Sequence, residues 1–199
     1  DLHALITTLK LRRIVLCGNS MGGTLAYMYA GLHPENVERL ILIDTGPGEK
    51  TTNQPPLSAT PTPRRGGPPP IPPGPFISPD DAAAQMPNAW GAAFIREMHN
   101  FNLKRDADGR WRWKYDPNVF LAYERSLNDP RKWPLWKAVK CPILVLRGER
   151  SPAFSQQAAE QMVAENKHAS LIVIPGAGHF IPLEAAAALE ETIRRWLRV

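Results

Sequence analysis

The segment Arg13-Ile14-Val15-Leu16-Cys17-Gly18-Asn19-Ser20-Met21-Gly22-Gly23 restricts what this chain can fold into more than any other. A β-rich apolar run, Ile14-Val15-Leu16, leads into the pattern Gly18-x-Ser20-x-Gly22, and Thr24 to Leu32 then favour helix, with no proline before Pro34. A strand, a sharp turn and a helix in that order hold the serine on a strained corner, its Oγ projecting above a sheet. Gly18 and Gly22 are expected to be required, because a Cβ at either would meet neighbouring backbone. The helix that follows directs its free N–H groups and positive dipole end beside Ser20, which makes the Met21 N–H a candidate oxyanion donor.

The rest of the chain repeats this alternation. Leu2, Leu5, Ile6 and Leu9 recur at helical spacing and predict an amphipathic helix packed on one face. Leu40-Ile41-Leu42-Ile43 is an unbroken apolar run, the pattern of a parallel strand covered on both faces. It ends in Asp44-Thr45-Gly46-Pro47-Gly48, at the carboxyl edge where open α/β sheets bind ligands. Cys141 to Gly148 reads as a third strand and its turn, Phe154 to Lys167 as a helix, and Leu171 to Ile174 as a fourth strand. Pro175-Gly176-Ala177-Gly178-His179-Phe180 is a glycine-rich loop, and Pro182 to Leu197 a terminal helix. Such an order predicts an α/β fold: a parallel sheet with flanking helices and right-handed crossovers.

Between the two halves the composition changes. More than half of the chain's 21 prolines fall between Pro55 and Pro79. Residues 52–79 are expected to be disordered, since so little apolar surface cannot offset the entropy of ordering. From Ala82 to about Trp136 the pattern reads as helical and aromatic, with Trp90, Phe94, Phe101, Trp111, Trp113 and Tyr115 among its residues, suiting an apolar lid or a small helical core. The expected division is therefore a core of 1–48 and 137–199 with a cap insertion at 49–136.

The net charge is +5, but Lys and Arg are scattered rather than clustered among aromatics, which argues against a nucleic-acid partner. Cys17 and Cys141 do not make a disulfide framework and are expected to be reduced core residues. No apolar run reaches the ~18 residues of a membrane span. No signal peptide is read at the start of the sequence, which begins in mid-helix and not at Met, and a cytoplasmic location is expected. No His, Cys, Asp or Glu spacing suggests a metal site, and the expected partner is a small-molecule substrate.

Three motifs, Gly18-Asn19-Ser20-Met21-Gly22-Gly23, Cys141 to Gly148 and Ile174-Pro175-Gly176-Ala177-Gly178-His179, resemble in order and spacing the α/β-hydrolase superfamily, in particular its esterase and peptidase-like members with a helical cap. The resemblance covers 1–48 and 137–199, and the insertion only by position. It implies a serine hydrolase of an ester, amide or activated C–C bond that needs no cofactor. In it Ser20 is the nucleophile, His179 the base and the Met21 N–H the oxyanion donor. A non-catalytic ligand-binding scaffold or inactive fragment, and an acyltransferase using the same residues, are the alternatives it leaves.

The acid in this family usually follows the strand at 143–146, but the loop here reads Gly148-Glu149-Arg150-Ser151-Pro152, with Pro152 where an Asp is sought. Two carboxylates stay open: Glu149, early in that loop, and Asp44, at a position that haloalkane dehalogenases use. Asp44 is preferred, because it closes the strand next to the nucleophile strand. The resemblance also implies that further strands and a His-Gly oxyanion loop precede residue 1. On that reading the chain is a truncated member, with Ile14-Val15-Leu16 as an open apolar edge.

Overall fold

The computed structural model describes residues 1–48, 72, 74–86, 92–116, 119 and 129–198. The chain divides into two units, residues 1–55 with 129–199, and residues 56–128.

The first unit is built on a four-stranded parallel sheet in the order β1-β2-β5-β6. Its strands are β1 (Ile14–Asn19), β2 (Val37–Ile43), β5 (Ile143–Gly148) and β6 (Ala169–Ile174). The sequence predicts this parallel α/β sheet, and the structure has it. The central strands are apolar along their length because both faces are covered. Leu40, Leu42, Ile143 and Val145 turn to one side and pack with α1 (Leu2–Thr8), α2 (Met21–Leu32), α5 (Lys132–Ala138) and α6 (Gln156–Ala164). Ile41, Ile43, Leu144 and Leu146 turn to the other and pack with α7 (Ile181–Glu184) and α8 (Ala186–Leu197). Each such side chain contributes about 1.5–3 kcal/mol by leaving water. The indole Nε1 of Trp136 donates to Met162 O at 2.8 Å, and Asn166 Nδ2 donates to Trp136 O and Val139 O, so α5 and α6 are tied through polar groups as well.

β1 lies at the edge of this sheet. Val15 is 48 % exposed, and Cys17 is exposed rather than in the core as its sequence neighbours suggest. Alternation explains this: an edge strand covered on one side leaves every second residue open. α1 differs from expectation in the same sense. Ile6 is buried, but Leu5 and Leu9 are exposed, so the packed stripe is narrower than four apolar residues imply. The terminal helix is two helices, broken at Ala185 with φ −144° and ψ 46°.

The second unit contains α3 (Pro79–Gln85), α4 (Ala92–Phe101) and an antiparallel hairpin, β3 (Leu103–Arg105) with β4 (Trp111–Trp113). The helical reading of 82–136 is corrected at 103–113, where the chain forms this hairpin. Trp111 and Trp113 are strand residues, and the turn between the strands carries Asp108-Gly109, with Gly109 at φ +79°. Asp-Gly between alternating residues is a strong hairpin signal that the aromatic pattern obscured. Phe76, Ala82, Met86, Leu103 and Trp113 form a small core of their own. Phe76 is fully buried and exchanges backbone hydrogen bonds with Trp111 at 2.8 and 2.9 Å, so the end of the proline-rich stretch expected to be disordered is packed. Most of that stretch, 52–71 and 73, lies outside the described residues. Burial raises the Tyr115 phenol to about 12.

Candidate functional site

The turn between β1 and α2 places Ser20 at φ 52° and ψ −120°, a conformation that costs a non-glycine residue on the order of 1–3 kcal/mol. The backbone holds it there: Ser20 N donates to Ile43 O at 3.0 Å, and Ser20 O accepts from Thr24 N at 3.0 Å. A Cβ at Gly18 would sit 2.5 Å from Gly22 C, Gly22 O and Gly23 N, so Gly18 is required as expected. Gly22 is not; nothing lies within 4 Å of its Cβ position. The second demanding position is Gly23, whose Cβ would press on Thr45 Cγ2 and stand 2.7 Å from Gly18 O. The helix turns Gly23 inward against the strand end and leaves Gly22 facing outward. Met21 is the first residue of α2, and the first N–H groups of a helix have no partner within it.

His179 is carried by the loop after β6 and is 9 % exposed. Its Nε2 is 2.9 Å from Ser20 Oγ, and its Nδ1 is 2.6 Å from Asp44 Oδ2. A carboxylate accepts only, so the proton lies on Nδ1, and Nε2 is left to accept from the serine hydroxyl. Asp44, at the end of β2, is 1 % exposed and also has a positive φ, 52°. Its Oδ1 accepts from Gly148 N at 2.9 Å, and its Oδ2 accepts from Ser151 Oγ as well as from His179. The Ser151 hydroxyl is oriented by its surroundings: its oxygen accepts from Ala153 N at 3.2 Å and Phe154 N at 3.3 Å, which leaves its proton for Asp44. Nothing in the sequence singled out Ser151, which precedes the Pro152 where an acid was sought.

Glu149 is placed elsewhere. It is exposed, and its Oε2 accepts from Gly176 N at 2.7 Å. The structure thus brings Ser20, His179 and Asp44 together and leaves Glu149 outside the cluster. The neighbouring Arg147 donates to Phe154 O at 2.8 Å and Glu149 O at 3.1 Å, closing the loop that carries Ser151. Asn19 Nδ2 donates to Ile43 O at 2.9 Å and reaches His179 O at 3.5 Å, so the residue before Ser20 touches both the strand end before Asp44 and the histidine loop. Among the described residues there is no group of three or more His, Cys, Asp or Glu gathered as for a metal ion, and no helix long and apolar enough to cross a membrane.

A parallel α/β sheet with a serine, a histidine and an aspartate hydrogen-bonded in series at the ends of its strands defines a class of fold and site together. Residues 1–192 match the Alpha/beta hydrolase family, and the chain belongs to that family. It is 27% identical over 199 residues to a 3-hydroxybutyrate-oligomer hydrolase of Cupriavidus necator, covering 90% of this chain and 63% of that protein. It is 27% identical over 208 residues to Esterase YbfF of Escherichia coli, covering 99% and 72%. To a putative 2-succinyl-6-hydroxy-2,4-cyclohexadiene-1-carboxylate synthase of Bacillus subtilis it is 46% identical over 213 residues, covering 99% and 70%. The chain thus spans 63% to 72% of the length of these relatives. Among solved structures, an E-2-(acetamidomethylene)succinate hydrolase superposes with a TM-score of 0.77 at 20% identity over 100% of this chain and 72% of that one, a likeness of fold.

Proposed function

We propose that the protein hydrolyses a carboxylic ester through Ser20, His179 and Asp44. The observation that supports this most is the unbroken pair of hydrogen bonds, 2.9 Å from Ser20 Oγ to His179 Nε2 and 2.6 Å from His179 Nδ1 to Asp44 Oδ2. The names of the relatives in Cupriavidus necator and Escherichia coli, a hydrolase and an esterase, point the same way.

The chemistry follows from these atoms. A serine hydroxyl is a weak nucleophile until a base within hydrogen-bond reach takes its proton. His179 Nε2 removes that proton as Oγ bonds to the carbonyl carbon, and the carbonyl oxygen becomes an oxyanion beside the Met21 N–H. The imidazolium then gives its proton to the leaving alkoxide, and the acyl group stays on Ser20. Water attacks the acyl carbon, again losing its proton to His179, and Ser20 leaves protonated. Asp44 stays ionised throughout, fixes the Nδ1–H tautomer and stabilises the imidazolium. Ser151 and the Gly148 N–H hold Asp44 in place.

Two measurements test the proposal on the same protein. A fluorophosphonate should label it, and p-nitrophenyl esters should be turned over, with both signals lost in Ser20→Ala. An unlabelled parent protein, or a Ser20→Ala variant as active as the parent, refutes it.

A further inference from the structure

Among the side chains outside the Ser20–His179–Asp44 cluster that hold the His179 loop, one bonds the backbone on both sides of the histidine. Glu184, four residues beyond Phe180 in α7, accepts from Gly178 N through Oε2 at 2.7 Å and from Phe180 N through Oε1 at 3.1 Å. These N–H groups belong to the residues on either side of His179. The carboxylate therefore spans the histidine, one oxygen to each flanking peptide. The fit is close: a Cβ at Gly178 would lie 2.8 Å from Glu184 Oε2 and 3.0 Å from Oε1, so the glycine leaves the room that the carboxylate fills.

We infer that Glu184 is a positioning residue for His179, fixing the backbone on both sides of the imidazole so that Nε2 and Nδ1 meet Ser20 and Asp44 at once; this rests on the reading of those three residues given above. The geometry supports it from the other side of the same peptide. The Phe180 N–H and the His179 C=O belong to one peptide plane, and Asn19 Nδ2 reaches that carbonyl at 3.5 Å. Glu184 and Asn19 thus grip the plane at opposite ends. The loop also packs on the acid's support. A Cβ at Gly148 would collide with Gly178 O and stand 2.8 Å from Ala177 O, and the Gly148 N–H is the one that Asp44 Oδ1 accepts. A shift of the 177–180 backbone therefore moves the histidine and loosens the seat of the aspartate together.

A carboxylate is the group that suits this position. Both flanking N–H groups are donors, and two acceptor oxygens on one carbon satisfy both. A glutamine would turn an NH₂ toward one of them. Glu184→Gln is therefore expected to behave like Glu184→Ala, which a residue that merely adds polarity to a helix start would not predict.

The test compares the parent protein with Glu184→Gln, Glu184→Ala and Ser20→Ala. The readouts are the rate of fluorophosphonate labelling, kcat and KM on a p-nitrophenyl ester, circular dichroism, and the downfield proton resonance of the His179 Nδ1–H···Asp44 hydrogen bond. Both Glu184 variants should stay folded, and kcat and the labelling rate should fall about ten- to a hundredfold, the loss that goes with a catalytic group displaced by about 1 Å. KM should stay near that of the parent, and the downfield resonance should broaden or disappear. Parental kcat in Glu184→Gln overturns the inference. So does a loss confined to KM, or one that tracks the unfolded fraction while the downfield resonance is unchanged. If Ser20→Ala is labelled as fast as the parent, the serine reading fails instead. Glu184 is then judged by the downfield resonance, which reports the His179–Asp44 pair whatever the reaction.

Discussion

Asp44 and Glu149 follow the two central strands of the sheet, β2 and β5, at the same edge, yet they meet different environments. Asp44 is almost fully buried, with three donors on its two oxygens: Gly148 N, Ser151 Oγ and His179 Nδ1. Glu149 is exposed, with a single backbone donor, Gly176 N. Asp44 turns inward because it takes a positive φ, 52°, directly at the strand end, where its N–H still bonds Leu146 O at 2.7 Å. Glu149 comes one residue after β5 ends at Gly148, between Arg147 and Arg150, which both hold backbone carbonyls. Proximity to the edge is thus not what distinguishes the two. The number of donors aimed at each carboxylate, and the dryness of the place, separate them.

The largest expected effect comes from emptying the buried side of this comparison. Asp44→Asn should lower kcat/KM by about ten thousandfold, the scale seen when a triad carboxylate is made an amide, while circular dichroism stays that of the parent. A parental rate would show that the buried carboxylate has no part in the reaction.

Exchanging the groups sharpens the comparison. Ser151 Oγ bonds the same Asp44 oxygen that His179 does, so Asp44→Ser with Ser151→Asp moves the carboxylate across one hydrogen bond. The double variant should recover at least about tenfold in kcat/KM over Asp44→Ser alone, a coupling within the range for residues in contact. Ser151→Ala by itself removes one hydrogen bond to a charge, worth about 1.5–3 kcal/mol, and should lower kcat/KM by about ten- to a hundredfold.

Glu149→Gln should change little: stability within about 0.5 kcal/mol, as for most surface substitutions, and kcat/KM within about twofold by the same measure of RT. A dead Glu149→Gln beside an active Asp44→Asn would invert the comparison.

The smallest effect concerns an exposed carboxylate in the other unit. Asp81 accepts from Ile77 N and Gln85 Nε2, and these bonds hold its carboxyl below the ordinary value. A lowered folded value stabilises above the unfolded value of about 3.9 and loses that effect as pH falls through the folded one. Thermal unfolding of Asp81→Asn should therefore differ from the parent near neutral pH and converge with it below that window.

How much of this was legible depends on the range of the cause. The Gly-x-Ser-x-Gly turn, the apolar strands and the histidine loop are local patterns, and each appears in the structure where its residues predict. Gly18 is tight for a reason visible in the turn itself. Whether Gly22 or Gly23 is tight depends on which of them faces Thr45, and that is set by the helix meeting another strand end. The hairpin at 103–113 had a local signal, Asp108-Gly109, that a helical reading of the surrounding tryptophans covered.

The sequence by itself determined the strand–turn–helix that carries Ser20, the parallel sheet, and the short list of carboxylates at its edge. It could do so because hydrophobic periodicity and glycine placement act over a few residues. Only the tertiary structure put Asp44, and not Glu149, against His179, seated it on Ser151 and the Gly148 N–H, and set Glu184 astride His179. These contacts join residues brought together by strand order, in one case 135 positions apart, and no spacing along the chain encodes which buried donors will converge on one oxygen.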